Sequence, residues 1–193
     1  MAAPSIVIAV AGPPGGGKTT LARSLSARLG GAPTLHYDDY EQITRRGPSE
    51  IAAWLDRGAP ADEVPLPGFA EAMLALKQGG ARHVILDFLL ARAHRATARH
   101  IDWLIWIDTP LDIALARTLR QQVALAGKAG PAEAARFVDW LAGYLDSYSA
   151  VMHRGYQLQL ATVRPHADLI LDGKLPPDDL VERAAADILC RFP

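Results

Sequence analysis

The sequence predicts an α/β fold in which helices enclose a parallel sheet. Short apolar runs alternate with segments of helical spacing, and a glycine-rich segment joins the first apolar run to the first amphipathic helix. Buried strands that alternate with helices are typical of parallel sheets. The five predicted strands are residues 5–11, 33–37, 83–88, 102–108 and 167–171.

Helical periodicity fills the intervals between these strands. Leu21, Leu25 and Leu29 recur at helical spacing, and Gly30 and Gly31 end that helix. Further helices are predicted at residues 48–56, 68–77, 111–126 and 177–190, and another begins at Pro131. That helix carries an apolar stripe, which predicts that it packs inward; the stripe comprises Phe137, Leu141, Tyr144, Leu145, Tyr148, Val151 and Met152.

Composition excludes several classes of protein. The 193 residues include 20 Lys and Arg against 21 Asp and Glu, and this balance argues against a dedicated nucleic-acid binder. The single cysteine, Cys190, rules out an intramolecular disulfide framework. No run approaches the ~18 apolar residues of a membrane span. The apolar start lacks a basic residue before it, so we interpret it as a buried strand in a cytoplasmic protein rather than a signal peptide.

The glycine-rich segment carries the strongest functional signal. Residues 12–19 read GPPGGGKT and match the phosphate-binding pattern G-x-x-x-x-G-K-[ST], with Thr20 following. Glycines allow backbone N–H groups to converge on phosphate oxygens, while Lys18 supplies a point charge and Thr19 a hydroxyl for Mg²⁺. Pro13 and Pro14 lack N–H groups. We therefore predict ATP and Mg²⁺ as ligands, with the nucleotide held by Gly12, Gly15, Gly16, Gly17, Lys18, Thr19 and Thr20.

Two adjacent carboxylates follow the second predicted strand. Asp38 and Asp39 lie in the segment His36-Tyr-Asp-Asp-Tyr40, at the strand end where ligands bind in such sheets. Phosphoryl transfer to an alcohol requires a carboxylate that orients the hydroxyl and accepts its proton. We favour this role for Asp38 and helix capping for Asp39.

This segment resembles one group of enzymes. His36-Tyr-Asp-Asp-Tyr40 is similar to the H-x-D-D-F segment of P-loop kinases of the uridine kinase, phosphoribulokinase and nicotinamide riboside kinase superfamily. Residues 105–120 and 164–172 resemble its fourth strand with lid helix and its fifth strand. The resemblance implies a three-layer P-loop NTPase fold with strand order 2-3-1-4-5. It also implies Asp38 as general base, with Asp39 and Tyr40 at the acceptor site.

The resemblance also implies a metal ligand and a lid. Asp87 ends the third predicted strand and takes the position of the acid that holds Mg²⁺ with Thr19, although helix capping is an alternative role. Arg117 and Arg120 share a helix face and are expected to close over the transferring phosphate, with Lys128 nearby. One domain, residues 1–193, with a lid at about 117–136, is therefore expected.

The acceptor remains open on sequence grounds. Arg92 and Arg95 lie in a basic run that either binds a phosphorylated or carboxylated acceptor or forms an exposed basic helix. The predicted function is an ATP-dependent kinase that acts on a hydroxyl of a nucleoside-like or other small metabolite. The alternatives are a kinase for a nucleotide or an antibiotic, and a nucleotide-dependent regulator or plain NTPase without a small acceptor.

Overall fold

A five-stranded parallel sheet forms the centre of the molecule. The computed structural model describes residues 5–127 and 130–193. The strands are β1 (Ile6–Ala11), β2 (Thr34–His36), β3 (His83–Asp87), β4 (Trp103–Asp108) and β5 (Leu169–Asp172). They lie in the order β2-β3-β1-β4-β5, all parallel, which confirms the predicted fold class and strand order.

The register brings the carboxyl ends of the strands to one edge. His36 of β2 pairs with Asp87 of β3, and Val10 of β1 pairs with the same Asp87. The central strands are apolar on both faces because helices cover both, and residues 7–11 are fully buried. Polar side chains at the strand ends therefore share the one edge at which the glycine-rich segment leaves β1.

Eight α-helices accompany these strands in the described ranges. They are α1 (Lys18–Arg28), α2 (Pro48–Asp56), α3 (Phe69–Gln78), α4 (Arg95–Ala98), α5 (Leu111–Ala126), α6 (Pro131–Ser147), α7 (His153–Thr162) and α8 (Pro177–Arg191). Leu25 and Ile188 bring α1 and α8 against one face of the sheet. Phe69 and Met73 bring α3 against the other face. None of the described helices is both long and apolar enough to cross a bilayer.

The predicted inward stripe of α6 is not buried in the core. Leu145 is 40% exposed, and the other residues of the stripe are half-buried. The aromatic rings stack along the helix instead, with centroids 5.7 Å apart for Phe137 and Trp140 and 4.9 Å apart for Trp140 and Tyr144. Rings three or four residues apart lie on the same helix face. They therefore bury part of their apolar surface against one another instead of against the sheet.

The chain remains helical beyond the predicted stripe. A π-helical segment (Tyr148–Met152) joins α6 to α7, and α7 continues to Thr162. A π-helical turn holds an extra residue, which shifts the side-chain period away from the 3.6-residue pattern. Beyond this segment, a 3.6-residue period in the sequence therefore no longer predicts which side chains share a face with those of α6.

Phe69 is the main aromatic contact between α3 and the sheet. It is fully buried and lies 4.6 Å from Phe88 and 5.3 Å from Tyr40, measured between ring centroids. We expect Phe69→Ala to lower the free energy of unfolding by about 3–5 kcal/mol, because it removes buried apolar contacts and leaves a cavity. Urea unfolding measures this change.

Val138→Ala is the control for this prediction. Val138 is 62% exposed on α6, so its truncation should change the free energy of unfolding by less than about 0.5 kcal/mol. Equal effects of the two substitutions would contradict the assignment of Phe69 to the core.

Candidate functional site

The phosphate-binding loop is shaped by two close backbone approaches. Gly12 has φ 148°, and a Cβ atom there would lie 2.8 Å from the carbonyl oxygen of Ile107 in β4. Gly15 has φ 75°, and a Cβ atom there would collide with the carbonyl oxygen of Ala114 and the hydroxyl of Thr118 in α5. Both positions therefore require glycine, and the loop is packed against β4 and α5.

A buried threonine fixes the middle of this loop. The hydroxyl of Thr109, just after β4, donates to the carbonyl oxygen of Gly16 at 3.0 Å. Within the loop, the Gly16 amide donates to the Pro13 carbonyl at 2.9 Å. Helix α1 then begins at Lys18, directly after Gly17 with φ 104°. Its free N–H groups and helix dipole form an anion-binding position, as the sequence predicts.

Lys18 lies over this loop. Its ammonium group donates to the Pro13 carbonyl at 3.3 Å. Burial lowers the pKa of the Lys18 ammonium below its ordinary value, while the carboxylates of Asp87 and Asp38 act in the opposite direction. The lysine is thus placed between the loop and two acids, and it has a weak hydrogen bond that a phosphate oxygen can replace.

Asp87 joins three elements at the end of β3. It is only 6% exposed, and its Oδ2 accepts a hydrogen bond of 2.6 Å from the hydroxyl of Thr19 in α1. The same oxygen lies 3.2 Å from Nδ1 of His36 at the end of β2. The carboxylate contacts the side chains of α1 and β2 instead of capping a following helix. His36 was not among the predicted site residues, although its place before Asp38 at a strand end was a usable signal.

Thr19 and Asp87 fit the requirements of Mg²⁺. Mg²⁺ prefers hard oxygen ligands and is usually held by one or two carboxylates together with substrate phosphates. The hydroxyl and carboxylate oxygens supply such a pair beside Lys18. Within residues 5–127 and 130–193, no three His, Cys, Asp or Glu side chains gather into a metal-binding group. The two oxygens therefore suit a cation whose remaining ligands come from phosphate, rather than a cation coordinated by protein side chains alone.

A cavity of about 580 Å³ opens above the loop. Gly15, Gly16, Gly17, Lys18, Thr19 and Thr20 line it, as do Asp38, Arg117 and Gln121. Leu175, Pro177 and Leu180 form an apolar side. Arg120 lies one turn further along α5 and is exposed. Lys128 is outside the described residues. Arg23 lines the same cavity, so the anion-binding loop faces two arginines and an apolar wall across one space.

Asp38 borders a second cavity of about 420 Å³. It lies in a short 3-10 turn (Tyr37–Asp39) directly after β2. Burial raises the pKa of the Asp38 carboxyl, Lys18 opposes this shift, and the nearby carboxylates of Asp87, Glu41 and Asp39 reinforce it. We call this second space the inner cavity; its walls include Tyr37, Ile51, Trp54, Leu55, Leu90, Met152 and Tyr156.

The remaining predicted acceptor residues lie elsewhere. Asp39 is exposed, and it does not cap a helix: Glu41 accepts the bond from the Thr44 amide at 3.1 Å. Tyr40 packs edge-on against Phe69 in the core.

The two basic residues of the predicted acceptor site are engaged in structural contacts. The Arg92 guanidinium lies 2.7 Å from Asp168 and donates to the carbonyl oxygen of His166 at 3.1 Å. Arg95 pairs with Asp62 at 3.1 Å, and its side chain is 92% exposed. The structure therefore places this basic run outside the inner cavity.

Solved structures share this architecture. A gluconokinase from Sinorhizobium meliloti superposes with a TM-score of 0.52 at 14% identity, covering 98% of this chain and 94% of that chain. A sugar kinase from Janibacter sp. superposes with a TM-score of 0.50 at 22% identity, covering 95% and 94%. The chain has the fold of these kinases. No protein-family model matches the sequence, and no curated protein matches it significantly.

Replacement of Gly15 tests the packing of the loop against α5. Gly15→Ala should lower the free energy of unfolding by about 1–3 kcal/mol, because an L-residue is strained at φ 75° and its Cβ meets α5. We expect ADP affinity, measured by calorimetry, to fall about tenfold or more, the equivalent of ~1.4 kcal/mol.

Gly143→Ala provides the matched control for this prediction. Gly143 lies within α6, and a Cβ atom there would meet no described atom within 4 Å. This substitution should raise the free energy of unfolding by about 0.5–1 kcal/mol and leave ADP affinity unchanged. Normal ADP affinity in Gly15→Ala would contradict the geometry of the loop.

The lowered pKa of Lys18 makes ADP binding dependent on pH. Its pKa in the folded state lies below the ordinary value of 10.5, so the ammonium loses its charge at a lower pH than an exposed lysine. ADP affinity should therefore fall as the pH rises through the folded pKa toward 10.5. The free energy of unfolding should rise with pH over the same interval, because the unfolded chain binds the proton more strongly there than the folded chain does.

Lys18→Arg separates this titration from other alkaline effects. A guanidinium retains its charge over the same interval, so calorimetric titrations of this variant should lack the decline in ADP affinity. Parallel pH profiles in the two proteins would contradict the role of Lys18.

Proposed function

We propose that the protein is a kinase that transfers the γ-phosphoryl group of ATP to a hydroxyl group of a small molecule. The observation that carries this proposal is the position of Asp38, which lines both the cavity of the phosphate-binding loop and the inner cavity. A carboxylate between two ligand spaces is suited to act on a hydroxyl in one space and a phosphate in the other. The kinase fold and the resemblance around Asp38 support the same assignment.

The reaction follows from this placement. An acceptor hydroxyl in the inner cavity gives its proton to the Asp38 carboxylate, while its oxygen bonds to the γ-phosphorus. The bond from that phosphorus to the oxygen bridging to the β-phosphate breaks, and ADP leaves with the bonding pair. The raised pKa of Asp38 makes its carboxylate a better proton acceptor than an ordinary aspartate.

The phosphate-binding loop and its neighbours hold the donor. Loop amides and the Lys18 ammonium bind the β- and γ-phosphates, and Arg117 provides a further cation on the far side of that cavity. Thr19 and Asp87 would hold Mg²⁺, which when bound neutralises charge on the phosphates. His36 contacts the same oxygen of Asp87 that accepts from Thr19.

The predicted lid, at about residues 117–136, begins in the middle of α5. Arg117 already lines the nucleotide cavity, whereas Arg120 is exposed on the same helix. We propose that movement of this segment over bound ATP brings Arg120 toward the phosphates and excludes water from the reacting groups.

Asp38→Asn tests the proposed base. An amide cannot accept the proton, so kcat with an active acceptor should fall about 10²- to 10⁴-fold while ADP affinity is retained. The assay measures ADP release from ATP in the presence of a panel of nucleosides, vitamins and sugars. Asp39→Asn, a neighbour in the same turn that is not among the lining residues of either cavity, is the matched control and should retain activity.

One outcome favours an alternative function. If no acceptor accelerates ADP release and Asp38→Asn hydrolyses ATP at the original rate, the protein is a plain NTPase or a nucleotide-dependent regulator. A nucleotide or an antibiotic as the accelerating compound would retain the kinase chemistry and change only its acceptor.

A further inference from the structure

The inner cavity adjoins a smaller chamber. This chamber has a volume of about 160 Å³ and shares four lining residues with the inner cavity: Trp54, Leu90, Gly155 and Gln159. Gly155 has no side chain, and a Cβ atom there would be 3.6 Å from Leu55. Its lack of a side chain leaves space where the inner cavity and the chamber meet.

The boundary between the two spaces is rigid on the Trp54 side. The indole Nε1 of Trp54 donates to the carbonyl oxygen of Pro60 at 3.1 Å. In the same helix, Asp56 binds Arg154 of α7 at 2.7 Å, and the carbonyl oxygen of Leu55 accepts from Arg154 at 3.2 Å. These contacts join α2 to α7, and both helices line the inner cavity.

Gln159 has an unsatisfied polar atom at this boundary. Its Oε1 is buried and has no hydrogen-bond partner among the residues that the structure describes. A buried acceptor without a partner is unfavourable, and rotation of the Gln159 amide toward the cavity would let a ligand N–H or O–H group remove that penalty. Because Gln159 lines both spaces, such a donor would lie at the end of the inner cavity remote from the nucleotide.

The charges of the described lining residues disfavour an anion in the inner cavity. Asp38 and Glu41 contribute carboxylates, and Arg46 is the one cation among these residues. The Arg46 guanidinium already donates to the Glu63 carbonyl oxygen at 2.8 Å. The surrounding wall is mainly apolar and includes the aromatic side chains of Tyr37, Trp54 and Tyr156. An apolar, aromatic wall favours a ligand that carries a ring over a linear ligand that carries many hydroxyl groups.

We infer that the acceptor is an uncharged, ring-bearing alcohol whose remote end donates a hydrogen bond to Gln159. This inference deepens the proposed kinase function and depends on it. It makes Gln159 a specificity-determining residue, and it excludes phosphorylated and carboxylated alcohols as preferred acceptors. A site built to bond a buried donor strongly rejects an analogue that lacks the donor.

The first experiment compares two sets of alcohols in the ADP-release assay. Uridine, adenosine and pyridoxine represent uncharged ring alcohols, and gluconate, shikimate and uridine monophosphate represent anionic ones. We expect acceleration by at least one member of the first set and by none of the second. Acceleration by anionic alcohols alone would overturn the inference and leave the kinase function standing, whereas no acceleration by either set would count against both.

The second experiment assigns the hydrogen bond. Gln159→Leu should lower kcat/KM for the accelerating alcohol about 10- to 100-fold, with ADP affinity unchanged. Gln157→Leu, on the exposed side of the same helix, is the matched control and should have no effect. An analogue of the acceptor in which the donating N–H or O–H group is methylated should be a poor substrate for the original protein, and its kcat/KM should fall little further in Gln159→Leu. Equal behaviour of the two glutamine variants would overturn the inference.

Discussion

The buried carboxylate of Asp87 is the interaction on which the site depends. A charge removed from water must be paired or hydrogen-bonded, and this one is bonded to Thr19 on α1 and lies beside His36 on β2. Lys18 adds a compensating positive charge. Helix α1 and strand β2 are thereby joined to β3, whose Asp87 lies 51 residues after His36. The strand order makes this meeting possible, because β3 lies between β1 and β2.

Much of this arrangement follows from the sequence because it is local. The glycine-rich motif between an apolar strand and an amphipathic helix specifies the loop, and strand-end acids are expected at the ligand edge of a parallel sheet. The place of Asp87 at the end of a buried run thus predicts its position at that edge. Strand order itself is not local, and it followed from the resemblance to known kinases rather than from any pattern of residues.

Patterns in the sequence did not predict the contacts between distant segments. Arg92 looked like a ligand-binding residue because its neighbours are basic, but its actual partner is Asp168, 76 residues later in the chain. The role of Asp39 as a cap was wrong because Glu41, two residues on, reaches the Thr44 amide instead. Gln159 carried no sequence signal at all, since only tertiary packing shows that its carbonyl oxygen is buried without a partner.

The π-helical segment Tyr148–Met152 has a consequence for the way this fold can change during evolution. Each residue advances an α-helix by about 100°, so the loss of one residue from this segment would rotate α7 by roughly that angle relative to α6. Gly155 and Gln159 would then turn away from the inner cavity while β1, β3 and the phosphate-binding loop kept their positions. A single-codon deletion thus offers a route to a new acceptor preference that leaves the nucleotide site intact.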